Sequence, residues 1–213
     1  RGKSVFSFGH TMHNTLYDFL KLANEEKKQP ELFTAKKEKH SGVLQNARVV
    51  GLDELMGLYE QNWVDEWYDS KKNKEEYFKK GKDILKEFYK KYQKNAPKIL
   101  KTKDGLGLEM GFNLKIGGNT IIGKIDRIDD LGGGKVQIID YKTGTSKDKP
   151  DKEQLLIYQV AAQEVLGLKP KNLSYYYLED GKILSFLGTD KELAEQKEKV
   201  LEQIEKIKNS EFE

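Results

Sequence analysis

The sequence predicts an α/β fold: a mixed central β-sheet with an antiparallel meander at its core, flanked by helices. Three observations predict it. Helical periodicity marks residues 7–23, 53–70 and 74–95 and returns near the end, β-branched runs broken by glycines fill residues 99–141, and a helix and two more strands follow. Helices, antiparallel strands, helix, strands, helix is the order of a layered α/β sandwich. At 213 residues the chain is one moderate domain or two small ones, long enough for a real core.

Composition narrows the function classes. Charged residues are 34% and hydrophobic ones 37%, a very polar chain. Its formal net charge of +3 does not by itself announce nucleic acid. Local density says more, because lysines crowd residues 71–103 and 142–152. The first cluster reads as solvated helix faces, and the second as a candidate for phosphate contact. With no cysteine, the chain supports no disulfide framework, Cys-ligated zinc or iron–sulfur cluster. No apolar run approaches the ~20 residues of a membrane span and no signal-peptide pattern opens the chain, so the expected setting is cytoplasmic. Opening at Arg1 rather than Met, the sequence reads as a piece of something longer.

Residues 7–23 form the first expected helix, with Met12, Leu16, Phe19 and Leu20 at helical spacing and Ser7 as a cap. His13 lies on or beside that buried stripe, either as a satisfied core histidine or, given the carboxylates downstream, as a metal ligand. His10 touches substrate or faces solvent, and His40 lies in a polar loop. Residues 24–51 read as a long lysine-rich connection. Two helices follow at 53–70 and 74–95, with Leu55, Leu58, Tyr59, Trp63 and Trp67 inward on the first. Phe78, Ile84, Leu85, Phe88, Tyr89 and Tyr92 recur along the second. Aromatics at this spacing are expected in helix–helix core, although exposed ones would stack on bases of single-stranded nucleic acid.

The informative stretch is Gly123 to Gly144. Two strand-like runs flank a glycine cluster, Gly132-Gly133-Gly134, which reads as a hairpin. Folded symmetrically about Gly133, it sets Asp126 opposite Asp140. Side chains alternate along a strand, so Lys142 shares a face with Asp140 while Tyr141 and Arg127 point away. Opposed residues have Cβ atoms roughly 4.5–5.5 Å apart, and like charges so placed destabilise a sheet unless a cation lies between them. Upstream, Gly117-Gly118 signals another hairpin that brings Glu109 opposite Asp126; a loop at Gly118-Asn119 slides Glu109 by two on the same face. A bulge in either hairpin would shift the register. Three acids and one imidazole are a donor set for Mg²⁺ or Mn²⁺.

Residues 148–166 make the next helix, with Pro150 near its first turn, Gly167 as its stop, and Gln154 and Tyr158 on one face. Residues 173–178 and 183–187 flank an Asp-Gly turn as a second hairpin. Residues 191–209 close the chain as a helix, with Leu193, Val200, Leu201, Ile204 and Ile207 inward.

Four fragments in order carry a family resemblance: Gly9-His10-Thr11-Met12-His13, Gly123-Lys124-Ile125-Asp126-Arg127, Asp140-Tyr141-Lys142-Thr143-Gly144, and Gln154-Leu155-Leu156-Ile157-Tyr158. They resemble the G-x-x-x-H, G-x-x-D-R, D-x-K and Q-x-x-x-Y motifs of the PD-(D/E)XK nuclease superfamily, in its RecB-type branch. The resemblance implies a restriction-endonuclease-like fold and a single nuclease domain over residues 1–213 with a helical insertion at about 52–96. It implies metal ligation by His13, Asp126, Asp140 and the backbone carbonyl of Tyr141, with Asp126, Asp140, Lys142 and Glu109 as the catalytic set. Gln154 and Tyr158 would bind DNA and order the centre, and Lys147 and Lys149 would meet its backbone. The expected activity is metal-dependent cleavage of single-stranded DNA or duplex ends in repair or recombination, by a domain fused to or associated with a UvrD/Rep-like helicase. A second reading is a catalytically weak or inactive DNA-holding module of such a helicase-nuclease. A third, a metal phosphodiesterase acting on nucleotides, would want a closed pocket with base-reading groups.

Overall fold

The computed structural model describes residues 3–25 and 48–210. Most of the predicted 24–51 connection, His40 included, lies outside them. The chain divides into two compact units, residues 1–85 and 86–213.

In the first unit, helix α1 spans Lys3–Asn24, α2 Leu52–Gln61, and α3, Lys71–Lys94, begins there and continues into the second unit. Phe8, Met12, Leu16, Phe19 and Leu20 make the buried stripe of α1, as the spacing predicts. Ser7 is not a cap, however: α1 starts at Lys3, and the Ser7 hydroxyl donates to Glu66 O at 2.6 Å. The predicted 53–70 helix also stops early, at Gln61. Asn62 ends it by donating to Leu58 O and to Asp18 Oδ2. The chain beyond is then pinned along α1, where Ser4 donates to Trp67 O and Thr11 Oγ1 accepts from Val64 N. Trp63 still packs inward, stacked on Tyr68 with centroids 5.2 Å apart. Trp67, expected inward, is exposed with φ 64°.

The second unit holds the sheet. A two-stranded ribbon, β1 (Lys101–Thr102) and β2 (Gly105–Leu106), precedes five strands: β3 Leu108–Ile116, β4 Asn119–Gly132, β5 Lys135–Lys142, β6 Lys169–Tyr177 and β7 Ile183–Phe186. Their spatial order is β3-β4-β5-β6-β7, antiparallel throughout except the β5–β6 pair, which is parallel. A parallel pair needs a crossover, and α4 (Glu153–Glu164) supplies it. Helix α4 begins five residues later than predicted, so Pro150 lies before it rather than in its first turn. Leu155, Leu156, Tyr158, Val160, Ala161 and Ala162 are all buried, so the helix hides nearly every side. Buried Gln159 fixes it by clasping Gly188 twice, donating to its carbonyl at 3.0 Å and accepting from its N–H at 2.8 Å. Helix α5 (Asp190–Ser210) completes the unit; Leu193 is buried, whereas Ile207, expected inward, is 58% exposed. The architecture is therefore the mixed, mostly antiparallel sheet flanked by helices that the sequence predicts.

Register is what places the site. Leu108 faces Arg127 and Ile116 faces Asn119, so β3 and β4 turn through Gly117-Gly118. Between β4 and β5, Arg127 faces Ile139 and Asp130 faces Val136. The turn itself is Gly133-Gly134, both at positive φ, and a bulge between Asp130 and Gly132 absorbs the extra residue. The glycine turn and the bulge offset one another, so the register is the one that symmetry about Gly133 predicts.

Candidate active site

On one face of the sheet, acidic residues of three strands converge. The β4–β5 ladder ends at the Arg127–Ile139 pair, and beyond it Asp126 Oδ2 accepts the Tyr141 N–H at 2.8 Å. That bond fixes the Asp126 carboxylate and stands in for a ladder acceptor. Glu109 lies between two regular pairs, Leu108–Arg127 and Met110–Ile125, with φ 47°. A left-handed backbone at a residue with a Cβ costs of order 1–3 kcal/mol, and such strain concentrates at functional sites. Here it accompanies a close approach: one carboxylate oxygen of Glu109 and one of Asp126 lie within 4.8 Å of each other.

Asp140 is the buried member, its side chain 3% exposed and 2.7 Å from Lys142 Nζ. Lys142 stays 37% exposed, forms an ion pair with Asp140, and donates a hydrogen bond to Gln154 Oε1 at 2.7 Å. Gln154 Nε2 donates in turn to Tyr158 OH at 2.8 Å. The i, i+4 spacing on α4 thus builds a continuous chain from a buried tyrosine to a buried aspartate. Burial pushes the Tyr158 hydroxyl up, and the charges of Asp140, Asp126 and Glu109 push it further. The phenol remains protonated, as a donor beside three carboxylates must. Phe112 packs edge-on against Tyr158 at 5.9 Å. Gly123 makes room for it, since a Cβ there would come within 2.5 Å of the Phe112 ring. The glycine of the G-x-x-D-R stretch therefore has a packing reason.

Sequence reasoning missed one group on this face. Tyr175 pairs with Asp140 across the parallel β5–β6 ladder, and its ring lies 5.0 Å beneath Lys142 Nζ. Burial, then the Asp140 charge, pushes its hydroxyl up. Tyr175 and Tyr177 floor a cavity of about 340 Å³ with Lys142, Thr143, Lys147 and Gln154 on its walls. Alternation within the Tyr175-Tyr176-Tyr177 run is legible, but the parallel register that selects the pair is not.

The remaining predicted residues lie on other elements. Lys147 and Lys149 are exposed on the loop after β5, where Asp180 Oδ2 accepts from both Ser146 N and Ser146 Oγ. Those bonds hold the Asp180 carboxyl down at about 2. His13 belongs to the first unit, half-buried on α1 one turn before buried Leu16, and His10 is exposed. Arg127 points to the opposite face, as alternation requires, and meets Tyr141 OH at 2.7 Å and Asp129 Oδ2 at 2.9 Å.

Three carboxylates with a lysine among them are hard oxygen donors of the kind that hold Mg²⁺ or Mn²⁺. Glu109, Asp126 and Asp140 fit such an ion in chemistry, and the Glu109–Asp126 approach fits it in spacing. No described helix is long and apolar enough to cross a membrane. A search of curated proteins finds no match. The family model described as the PD-(D/E)XK nuclease superfamily matches residues 2–213. Its members are metal-dependent nucleases, most often with Mg²⁺ or Mn²⁺, and the match spans nearly the whole sequence. The chain belongs to the PD-(D/E)XK nuclease superfamily.

Proposed function

We propose that this chain is a divalent-metal-dependent deoxyribonuclease that cleaves single-stranded DNA or processes DNA ends, serving repair or recombination in the cytoplasm as the RecB-type nuclease domain of a helicase. The observation that carries the hydrolytic reading is the chain Asp140–Lys142–Gln154–Tyr158 beside Asp126 and Glu109. Asp126, Asp140 and Glu109 would hold the metal, with the Tyr141 carbonyl as a further donor. For His13 the support is its place in the motif order of the sequence. A divalent ion held there would supply Lewis acidity toward the phosphodiester and would make water a better nucleophile.

The protein's own groups do the positioning. Asp140, Gln154 and the Tyr175 ring hold the Lys142 ammonium from three sides, so it reaches the reaction already oriented. A fixed cation stabilises negative charge developing on phosphate without reorganising at the moment of reaction. It also orients the attacking water through its N–H donors. Tyr158 holds the far end of Gln154, and Lys147 and Lys149 offer the DNA backbone exposed positive charge. The single- over double-strand preference and the helicase partner rest on the RecB-type motif order alone.

The test is single-turnover cleavage of end-labelled linear and circular single-stranded DNA with Mg²⁺, Mn²⁺ or EDTA. Metal-dependent cutting of the linear strand, with the circle spared, is expected for end processing. Tight DNA binding without cutting under any metal would move the assignment to a DNA-holding module.

A further inference from the structure

The ladder between β4 and β5 stops at the Arg127–Ile139 pair, just where the proposed metal ligands begin. Asp126 on β4 and Asp140 on β5 both lie beyond that point. On its other edge β5 stays in register with β6, through Asp140–Tyr175, Tyr141–Tyr176 and Lys142–Tyr177. The end of β5 is thus fixed to β6, while its spacing from Asp126 depends on contacts outside the β4–β5 ladder.

Two such contacts converge on Tyr141. Its N–H donates to Asp126 Oδ2 at 2.8 Å on the carboxylate face. Its hydroxyl accepts from Arg127 Nη1 at 2.7 Å on the opposite face. Arg127 follows Asp126 in β4, so the two bonds tie consecutive residues of one strand to a single residue of the next. Burial pushes the Tyr141 hydroxyl up to about 12, so it accepts as a neutral phenol. The residue is 4% exposed and its ring packs on Tyr176 with centroids 5.8 Å apart, which leaves the phenol little room to move.

An ion shared between two strands is sensitive to the distance between them, and groups that orient metal ligands from behind typically contribute about 10–100-fold in metal affinity. We propose that Tyr141, through its side-chain hydroxyl, is a positioning residue of the metal centre: bonded to Arg127 behind the sheet, it holds β5 at the spacing from β4 at which Asp126 and Asp140 can share one ion. The inference rests on the metal-dependent reading above, which uses Tyr141 only for its carbonyl, and gives its side chain a part. Arg127 points away from the acids and acts on them through this phenol.

The test is Mn²⁺ binding without DNA, followed by calorimetry and by the paramagnetic resonance of free Mn²⁺, at equal concentrations of folded protein. Tyr141→Phe keeps the ring and its contact with Tyr176 but removes the bond to Arg127, and its Mn²⁺ affinity should fall about 10–100-fold. Its single-turnover cleavage should recover toward the wild-type rate at saturating Mn²⁺. Arg127→Lys keeps a charge beside Asp129 but shortens the reach to the phenol, and should weaken Mn²⁺ binding in the same direction. Asp129→Asn disturbs the same buried pair yet leaves the Arg127–Tyr141 bond, and should bind Mn²⁺ as wild type does even while unfolding at lower urea. Unchanged affinity in Tyr141→Phe, or equal losses in Tyr141→Phe and Asp129→Asn, would overturn the positioning role and leave the bond to stability alone. Loss confined to the variants that break the bond would uphold it even if wild type cuts no DNA, so failure of the nuclease reading is told apart from failure of this one. No Mn²⁺ binding by wild type would overturn both.

Discussion

The two faces of the central sheet carry the same kind of pair with opposite fates. On one face Lys142 meets Asp140 at 2.7 Å; on the other Arg127 meets Asp129 at 2.9 Å. Each pair has partners adjacent in alternation, and each adjoins the 126–127 and 140–141 steps where one residue faces each way. The difference is solvent. Lys142 is 37% exposed beside a sealed aspartate, whereas both members of the Arg127 pair are nearly closed off. Asp126 and Glu109 then add negative charge to the open face, while Tyr141 OH adds a neutral acceptor to the closed one. An open, acid-rich pair has room for metal and phosphate. A closed, charge-balanced pair holds the strands and is costly to break.

Breaking each pair should therefore damage a different property. The largest expected effect is on the closed face: Asp129→Ala strands a buried guanidinium and should destabilise the fold by about 3–5 kcal/mol, read by urea unfolding. On the open face, Lys142→Ala should slow single-turnover cleavage by about 10²–10³-fold. Its urea midpoint should fall less than that of Asp129→Ala, because Lys142 is 37% exposed and its removal opens the Asp140 carboxylate to water. Gln154→Ala removes the group that orients Lys142 without removing charge, so a loss of about 10–100-fold in cleavage is expected, the scale of other outer positioning groups. Gly123→Ala presses a methyl into the Phe112 ring and should cost about 1–3 kcal/mol of stability.

The smallest effect concerns the loop that follows β5. Asp180 is held at about 2, below its ordinary 3.8, first by the Ser146 hydroxyl. A depressed carboxyl stabilises the folded state at pH above its unfolded value and loses that contribution as pH falls toward the folded one. Acid titrations of wild type and Asp180→Asn should thus differ above pH about 4 and converge as pH approaches 2. A constant difference across that range would rule out the Ser146 tether as its source.

Legibility followed the physics of each element. The hairpins were legible because glycine turns and strict alternation fix register locally, which is why Glu109, Asp126, Asp140 and Lys142 came out on one face. The bulge at Leu131 was not, but it compensated for the turn one residue away. Helix α2 was overextended because Trp63 and Trp67 continue a helical period, whereas hydroxyls of Ser4, Ser7 and Thr11 capture the backbone there instead. Those partners lie 53 to 63 residues away in sequence, beyond any local signal. The start of α4 was misjudged because Pro150 suits a first turn, yet the chain stays non-helical until Glu153. Tyr175 was missed for a similar reason: only the parallel β5–β6 pairing, made through α4, brings it beneath Lys142. That Arg127 points away from the acids was readable from alternation; that it meets Tyr141 and Asp129 needed the folded strands.

The most direct measurement compares the two aspartates at equal concentrations of folded protein: single-turnover cleavage of end-labelled single-stranded DNA in Mn²⁺ by wild type, Asp140→Ala and Asp129→Asn. If the open face does the chemistry, Asp140→Ala abolishes metal-dependent cutting, and Asp129→Asn cuts at the wild-type rate per folded molecule while unfolding at lower urea. Residual cutting equal in wild type and Asp140→Ala, or loss in Asp129→Asn alone, would contradict the division of the sheet into a reactive face and a structural one.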